Sequence, residues 1–353
     1  MSKVSTQWLI LTGVPFQNSG GGQRAAQIAK TLLGYGHHIT YVYAIDYIEK
    51  GNSQTLIENE NFKTMHVNRF SISKFIKNLK KDIKLIILIE VPHPSFLPII
   101  NSFKNLASNI IYELIDPWDT ELGKGWYDIK IEWKIIDLAN ILTATALSLK
   151  KRLEQKTNRL VHLIPNAYDD ILFNPHIHYN RPIDLPDNPI IGYVGALWGS
   201  WFDIHLIIKL ANKYSNYNIV LIGEYNDQFD GLVPSNVHFV GLKPQYELPA
   251  YLFHFQLGLI PFKVNDLTFG VNPLKVYEYL AMGLPVVSTN MPELKEMPNV
   301  FLAKNDKQFL HLVKSILDND LKTVNVEHWL KKHNWHSRVN KLLLLTQTNN
   351  KQI

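Results

Sequence analysis

Two polar side chains near the end of the chain have the types and spacing needed to hold a phosphorylated sugar. Lys275 and Glu278 lie three residues apart in the segment Asn272–Thr289, which reads NPLKVYEYLAMGLPVVST. Pro273 suits the first turn of a helix, where free N–H groups and the positive dipole end attract phosphate. The lysine adds charge there, and the carboxylate can accept hydrogen bonds from sugar hydroxyls. The pattern predicts a sugar-nucleotide site, with a surface ion pair as the alternative.

Two other groups of polar residues could take up a proton. Glu90 to His93 follow the apolar run Leu85–Ile89, and Asp116 to Asp119 follow Asn109–Leu114. We expect both groups at the carboxyl edge of a parallel sheet, where α/β proteins bind ligands. His93 has the better intrinsic pKa for a base, but a histidine between prolines is often structural, so we place Asp116 first. The Asp116–Asp119 spacing does not suit a Mg²⁺ or Mn²⁺ site, and we expect no metal.

Strands and helices alternate along both halves of the chain, which predicts an α/β protein with two parallel, Rossmann-like sheets. A glycine-rich turn, Gly20–Gly22, opens the first helix and would let backbone approach a phosphate or a sugar closely, or serve only as a tight turn. We predict an N-terminal domain over residues 1–170, a proline-rich linker over 171–188, a C-terminal domain over 189–334 and a final amphipathic helix over 335–353 that packs back on the first domain.

Composition narrows the class of protein. Cysteine is absent, which excludes disulfides and thiolate chemistry, and the apolar part of the N-terminus is too short for a signal peptide. No apolar run is long enough to span a membrane, so we expect a cytoplasmic protein. The net charge of +5 suits phosphorylated small molecules or an anionic membrane surface; without a basic arm or recognition motif we expect no nucleic-acid partner.

Landmarks along nearly the whole chain resemble one known family. They are GGGQRAAQIAKTLLGYGHHITYVY, HLIPNAYDDILFNP, IGYVGAL and GLIPFK with NPLKVYEYLAMGLPVVST. Together they are similar to the GT-B glycosyltransferases, in particular the retaining enzymes of glycosyltransferase family 4 (glycosyl transferases group 1). The resemblance implies two facing Rossmann-like domains, a nucleotide-sugar donor on the C-terminal domain and an acceptor on the N-terminal domain. It implies transfer without a cofactor, while the residues leave retention versus inversion open.

The family pattern can be carried over position by position. Glu278 matches the second glutamate of the family's Glu-x7-Glu motif, which binds the donor ribose, whereas Gly270 stands where the first would touch the donor sugar. The arginine and lysine that follow the first C-domain strand in the family are missing, and Lys263 and Lys275 are the best replacements. Asp116 matches an acceptor-side loop. The predicted donor-binding residues are Gly21, Gly22, Gly223, Leu242, Lys263, Asn272, Pro273, Leu274, Lys275 and Glu278, and the catalytic candidates are Asp116, His93 and Asp119.

The sequence therefore predicts a hexosyltransferase-like enzyme that moves a sugar from a UDP-, GDP- or dTDP-sugar to a saccharide or lipid-linked acceptor in cell-surface polysaccharide or glycolipid synthesis. The alternatives are a sugar-nucleotide 2-epimerase and a non-catalytic sugar-nucleotide-binding partner. The segment Ser71–Lys84 alternates apolar residues with lysines, which fits either a basic amphipathic helix at the inner face of the cytoplasmic membrane or an ordinary crossover helix.

Overall fold

A computed structural model describes residues 5–46, 59–80, 83–187, 189–225, 229 and 231–348 of the 353-residue chain. The described residues form two compact units. The first contains those up to Pro165 together with those from Trp335 onward, and the second is the continuous segment Asn166–Asn334.

The first unit is built on a seven-stranded parallel sheet in the order β3-β2-β1-β4-β5-β6-β7. Its strands are β1 Gln7–Thr12, β2 His38–Tyr43, β3 Phe62–His66, β4 Leu85–Ile89, β5 Ala107–Leu114, β6 Ile141–Ala144 and β7 Val161–Leu163. Its helices are α1 Arg24–Gly34, α2 Ile72–Lys77, α3 Leu97–Phe103, α4 Ile129–Leu138, α5 Leu147–Thr157 and, from the end of the chain, α12 Trp335–Thr348.

The middle of this sheet is apolar because helices cover both of its faces. Every residue of β4, LIILI, is buried, as a central strand of a doubly wound sheet requires. The chain leaves β3 at one edge and returns at β4 on the other side of β1, so strand order reverses between β1 and β4. Crevices at such a reversal are the usual ligand sites of open α/β sheets.

The second unit carries a six-stranded parallel sheet in the order β10-β9-β8-β11-β12-β13. Its strands are β8 Ile190–Val194, β9 Asn218–Ile222, β10 Val237–Gly241, β11 Leu257–Ile260, β12 Val286–Thr289 and β13 Val300–Ala303. Its helices are α6 Ile204–Lys213, α7 Leu248–Leu252, α8 Asp266–Phe269, α9 Leu274–Ala281, α10 Asp306–Leu317 and α11 Glu327–Leu330. The reversal of strand order falls between β8 and β11. The predicted fold class, two Rossmann-like parallel sheets, is confirmed.

The last helix belongs to the first unit. Its apolar face, with Trp335, Val339 and Leu342, is buried, and it packs against α1. Lys341 donates a 2.8 Å hydrogen bond to the carbonyl of Leu163 in β7. Residues so far apart in sequence therefore complete one sheet-and-helix unit.

The basic segment after β3 forms less helix than its pattern predicts. Ser71 caps the helix by accepting from the N–H of Lys74, but α2 ends at Lys77 and Asn78 follows it as the C-cap. Asparagine competes with helical hydrogen bonds through its own side chain, which accounts for the early end. Lys81, part of the predicted helix, lies outside the described residues. Across the described ranges no helix is both long enough and apolar enough to cross a bilayer.

Candidate functional site

At the carboxyl edge of the second sheet, the backbone segments that follow neighbouring strands pack closely against each other. The N–H of Gly195, just after β8, donates to the carbonyl of Ile222 at 2.8 Å, and the N–H of Gly223 donates to Gly241 at 3.0 Å. A Cβ added to Gly223 would lie 1.9 Å from the carbonyl oxygen of Gly195, and its φ of +156° is unfavourable for other residues. Only glycine fits here, because the backbone after β8 packs directly on the backbone after β9. Leu242 follows β10 on the same side.

The first turn of α9 faces the same edge with uncapped N–H groups. Pro273 is the N-cap, one position earlier than the sequence suggested, and the helix begins at Leu274. No side chain caps its N-terminus. Free N–H groups and the helix dipole make this terminus able to bind an anion.

Lys275 and Glu278 do not form the surface ion pair that their spacing allowed. Glu278 is buried and accepts a 2.9 Å hydrogen bond from the side-chain amide of Gln245. The ammonium of Lys275 instead lies over the ring of Tyr193, 5.9 Å from its centroid, and its Cε would be 2.8 Å from a Cβ at Gly195. Among the residues in the described ranges Lys275 makes no salt bridge. The two side chains therefore contact different neighbours, Gln245 and Tyr193, and are not bonded to each other.

Burial shifts the charge of both groups. It raises the pKa of Glu278 to about 7, against the hydrogen bond from Gln245 and the charge of Lys275, which lower it. It lowers the pKa of Lys275, against the charge of Glu278. A buried carboxyl and a half-buried ammonium that are not bonded to each other are costly, and groups with such shifted pKa values cluster at functional sites.

Asn272 has a structural role that its sequence position did not reveal. Its Oδ1 accepts from the backbone N–H of Asn166 and from the hydroxyl of Tyr277, each at 3.0 Å, and its carbonyl accepts from the Asn166 side chain at 2.6 Å. These bonds fix the start of α9 to the first residue of the second unit. Asn272 thus positions the helix terminus.

Lys263 lies where β11 ends, with an exposed side chain. Its N–H donates to the carbonyl of Trp201 at 2.8 Å and its carbonyl accepts from the Thr268 hydroxyl at 2.7 Å, so the backbone is fixed while the ammonium is free to reach a ligand. Gly270, the position of the missing glutamate, is buried between α8 and α9. Trp198, in the loop after β8, is 45% exposed.

In the first unit the glycine loop folds onto α1. Asn18–Gly21 form a distorted 3-10 turn, and the carbonyl of Gly21 accepts a 2.8 Å hydrogen bond from the Gln27 side chain. Gly22 follows as the last residue of the turn, and α1 begins at Arg24. The loop therefore sits at the carboxyl end of β1, beside the reversal of strand order.

Two carboxyls with raised pKa follow the neighbouring strands β4 and β5. Glu90 is buried and its Oε2 accepts a 2.9 Å hydrogen bond from Thr12 at the end of β1. Burial, followed by the charge of Glu113, raises its pKa to about 8. Asp116 is partly buried, and loss of solvent raises its pKa to about 7. Both carboxyls can change protonation state near neutral pH.

The other two catalytic candidates already have partners. His93 caps the turn Pro94–Phe96: its Nδ1 accepts from the N–H of Ser95 at 3.3 Å, and burial lowers its pKa. A neutral ring whose Nδ1 is the acceptor carries its proton on Nε2, so it would donate rather than accept. Asp119 forms an exposed salt bridge with Arg152, whose hydrogen bond lowers its pKa. Within the described ranges no three histidine, aspartate or glutamate side chains gather as a metal-binding group.

Sequence reasoning missed a buried ion pair beneath these loops. Arg24 of α1 donates to both carboxylate oxygens of Glu113 in β5, at 2.9 and 2.7 Å, and also to the carbonyls of Ile164 and Pro165. Its guanidinium lies 5.6 Å from the ring centre of Trp335. The residues are 89 positions apart, and a buried acid within an apolar strand, IIYEL, was the only signal.

Comparison with known proteins shows which family model and which fold this chain resembles. Residues 188–319 match the family model described as Glycosyl transferases group 1. The predicted resemblance is confirmed. The fold is that of the GT-B glycosyltransferases. The matched range lies within the second unit and includes the edge around Lys275 and Glu278.

A curated relative and several solved structures are similar. The relative is named as a teichuronic acid biosynthesis glycosyltransferase, TuaH, of Bacillus subtilis (strain 168); it is 26% identical over 183 residues, 48% of this chain and 45% of its own length. The matched region thus spans less than half of that relative. Sucrose-phosphate synthase from Thermosynechococcus elongatus has a TM-score of 0.73 at 15% identity, covering 98% of this chain and 99% of that one. HepE of Anabaena, in complex with UDP and glucose, has a TM-score of 0.69 at 13% identity, covering 98% and 100%.

Proposed function

We propose that this protein is a glycosyltransferase that moves a sugar from a nucleotide-diphosphate sugar to a saccharide or lipid-linked acceptor, in the synthesis of a cell-surface polysaccharide or glycolipid. One observation carries the proposal: at the carboxyl edge of the second sheet, the uncapped start of α9 lies with a buried Glu278 and an unpaired Lys275. A nucleoside diphosphate supplies the partners that all three groups need.

In this proposal each group has a chemical role. The carboxyl of Glu278, oriented by Gln245, accepts hydrogen bonds from the two ribose hydroxyls. The N–H groups at the start of α9, with Lys275 and the exposed Lys263, bind the diphosphate and stabilise the charge that develops on it as the glycosidic bond breaks. The glycine-lined edge at Gly223 and Leu242 lets the base lie against the backbone.

The acceptor hydroxyl must lose a proton during transfer. Asp116 is the group best suited to receive it, because its pKa of about 7 leaves a sizeable basic fraction at neutral pH and no side chain in the described part of the chain is bonded to it. His93 Nδ1 and the Asp119 carboxylate are engaged as described above, so neither is placed first as the base. Transfer with retention and without a metal belongs to the same proposal, as does a UDP-, GDP- or dTDP-linked donor.

The structure of HepE in complex with UDP and glucose favours a uridine nucleotide as the first donor to test. A thermal-shift screen across UDP-, GDP- and dTDP-sugars is the direct experiment, since a ligand that binds the folded state raises its melting temperature. We expect one nucleotide class to stabilise the wild type and to lose most of that effect in Glu278→Ala. Stabilisation by none of them would reject the proposal.

Product analysis then separates the reaction types. Sugar transfer to an added acceptor identifies a glycosyltransferase. Isomerisation of UDP-GlcNAc without any acceptor would identify a 2-epimerase instead. Binding with neither donor hydrolysis nor transfer would identify a non-catalytic sugar-nucleotide-binding partner.

A further inference from the structure

The loop after β5, residues 115–128, is folded tightly on itself. A Cβ added to Gly123 would lie 1.9 Å from the carbonyl oxygen of Trp118 and 2.6 Å from Cβ of Tyr127. The backbone of one half of the loop therefore rests directly on the other half. A side chain larger than hydrogen at Gly123 would separate them.

The same loop is fastened to the unit at both ends. Asp119 is ion-paired with Arg152 of α5, and the hydroxyl of Tyr127 donates to Oε2 of Glu132 in α4 at 2.6 Å. Tyr112 of β5 donates to the other oxygen of that carboxylate at 2.6 Å. Such a loop is pre-organised, which lowers the entropy lost when it binds a ligand.

Aromatic rings gather around Trp126 at the carboxyl ends of β4 and β5. The His93 ring centre lies 5.8 Å from that of Trp126 with an interplanar angle of 34°, and Trp118 lies at 5.4 Å and 62°. Tyr127 lies at 6.3 Å, nearly perpendicular. Trp126, His93 and Tyr127 are partly exposed, whereas Trp118 is buried. The C–H groups of a sugar ring pack well against such amphipathic faces.

Two polar groups at this cluster have no partner among the residues that the structure describes. The indole Nε1 of Trp118 is buried without a hydrogen-bond acceptor. The carboxyl of Asp116, two residues earlier, makes no hydrogen bond and no salt bridge. The buried Nε1 of Trp118 is a donor and the partly buried carboxyl of Asp116 is an acceptor, so a bound ligand can pair with both.

We propose that Trp126, His93 and Tyr127, with Asp116 and Trp118, form a pyranose-binding subsite for the acceptor. The sugar ring stacks on Trp126, one hydroxyl donates to Asp116, and another accepts from Trp118 Nε1. This inference rests on the proposed function, because that function supplies the saccharide acceptor that would bind here. It specifies a sugar ring as the reacting end of the acceptor rather than a phosphorylated headgroup, because the aromatic faces suit the C–H groups of a pyranose and Arg152 is already paired with Asp119.

Saturation-transfer NMR on the full chain tests the subsite. The probes are methyl β-D-glucopyranoside, methyl α-D-mannopyranoside and methyl 2-acetamido-2-deoxy-β-D-glucopyranoside, with glycerol 1-phosphate as the headgroup probe. We expect transfer to the ring protons of at least one glycoside and none to glycerol 1-phosphate. Binding should weaken roughly five- to tenfold in Trp126→Ala, less in Trp126→Phe, and remain in Trp198→Ala, which removes an exposed tryptophan of the second unit.

Several results would overturn the subsite. They are no glycoside binding to the wild type, wild-type binding in Trp126→Ala, or stronger binding of glycerol 1-phosphate. If Trp126→Ala does not fold, Asp116→Asn and Trp126→Phe decide the question, since both should weaken glycoside binding. The nucleotide-sugar thermal shift reports on the second unit, so its failure and the failure of this subsite are separate outcomes.

Discussion

Gln245 donates a hydrogen bond of 2.9 Å to Oε1 of Glu278, and both side chains are buried. The two residues come from different elements, a 3-10 turn after β10 and the helix α9. This hydrogen bond lowers the pKa of Glu278 against the larger effect of burial, which leaves the pKa at about 7. The carboxyl therefore changes charge near neutral pH.

Nucleotide affinity should depend on pH through Glu278. A carboxylate accepts hydrogen bonds from both ribose hydroxyls, whereas its protonated form accepts fewer. We expect UDP to bind more tightly as pH rises from 6 to 8, with a midpoint near 7. Gln245→Leu removes the bond that lowers the pKa, so the midpoint should move to higher pH. Isothermal titration calorimetry measures both, with Gln308→Leu on α10 as the matched control; equal midpoints in Gln245→Leu and the wild type would contradict this role of Gln245.

Removal of the Glu278 carboxyl should weaken nucleotide binding directly. A hydrogen bond to a charged group contributes about 1.5–3 kcal/mol, so Glu278→Ala should lower UDP affinity roughly ten- to a hundredfold. Glu296→Ala removes an exposed carboxyl of the same unit and should have no effect. An unchanged dissociation constant in Glu278→Ala would show that the ribose lies elsewhere.

Lys275 should contribute to the binding of the diphosphate and not to that of the nucleoside. We expect Lys275→Met to weaken UDP binding about tenfold or more while uridine binding changes little, because the lost contact is to the diphosphate. Lys263→Met should show the same pattern to a smaller degree, since its side chain is exposed. Lys295→Met is the control. Equal losses for UDP and uridine in Lys275→Met would indicate damage to the fold around Tyr193 instead.

Glu90 should make the first unit less stable as pH rises. Its folded-state pKa, about 8, lies above the ordinary value of 4.5, so the folded state holds a proton that the unfolded state releases first. The stabilisation that comes from this retained proton is complete below about pH 4.5 and is lost as pH rises toward 8. Glu90→Gln should therefore raise the melting temperature at pH 8 and change it little at pH 5. Asp137→Asn, an exposed substitution on α4, controls for the change in net charge; a gain of equal size at both pH values would refute the buried titration.

The Arg24–Glu113 pair should be costly to break from one side. Arg24→Met leaves the carboxylate of Glu113 buried without its partner, which typically costs about 3–5 kcal/mol. The double variant Arg24→Met with Glu113→Leu should cost less than the sum of the two single changes. Urea unfolding measures each free energy, and strict additivity would show that the two side chains are energetically independent.

The sequence predicted the elements whose patterns are local. The alternation of apolar strands and helices predicted both sheets, and Trp335–Thr348 of the predicted final segment is a helix. β3 was not predicted because Phe62–His66, FKTMH, lies at a sheet edge and is only half-buried. α5 was missed because LSLKKRLEQKT buries only Leu149 and Leu153.

Among the candidate-site residues, too, those with a local pattern could be predicted from the sequence. Lys275 and Glu278 could be found because one helical turn contains both. The hydrogen bonds that these candidate residues make with other side chains could not be found in the same way. Gln245 to Glu278 and Arg152 to Asp119 each join positions 33 residues apart. Those pairs depend on how the strands order themselves within each sheet, which no short window of sequence contains.

The first unit is discontinuous, and this affects how the protein can fold during synthesis. Its α12, with the buried Trp335, Val339 and Leu342, leaves the ribosome only after the entire second unit. Until then α1 lacks the helix that covers it, and Arg24 lacks the ring of Trp335. The second unit, by contrast, is one uninterrupted segment that can close its core first. The part of the chain that is made first is therefore the part that can be finished last.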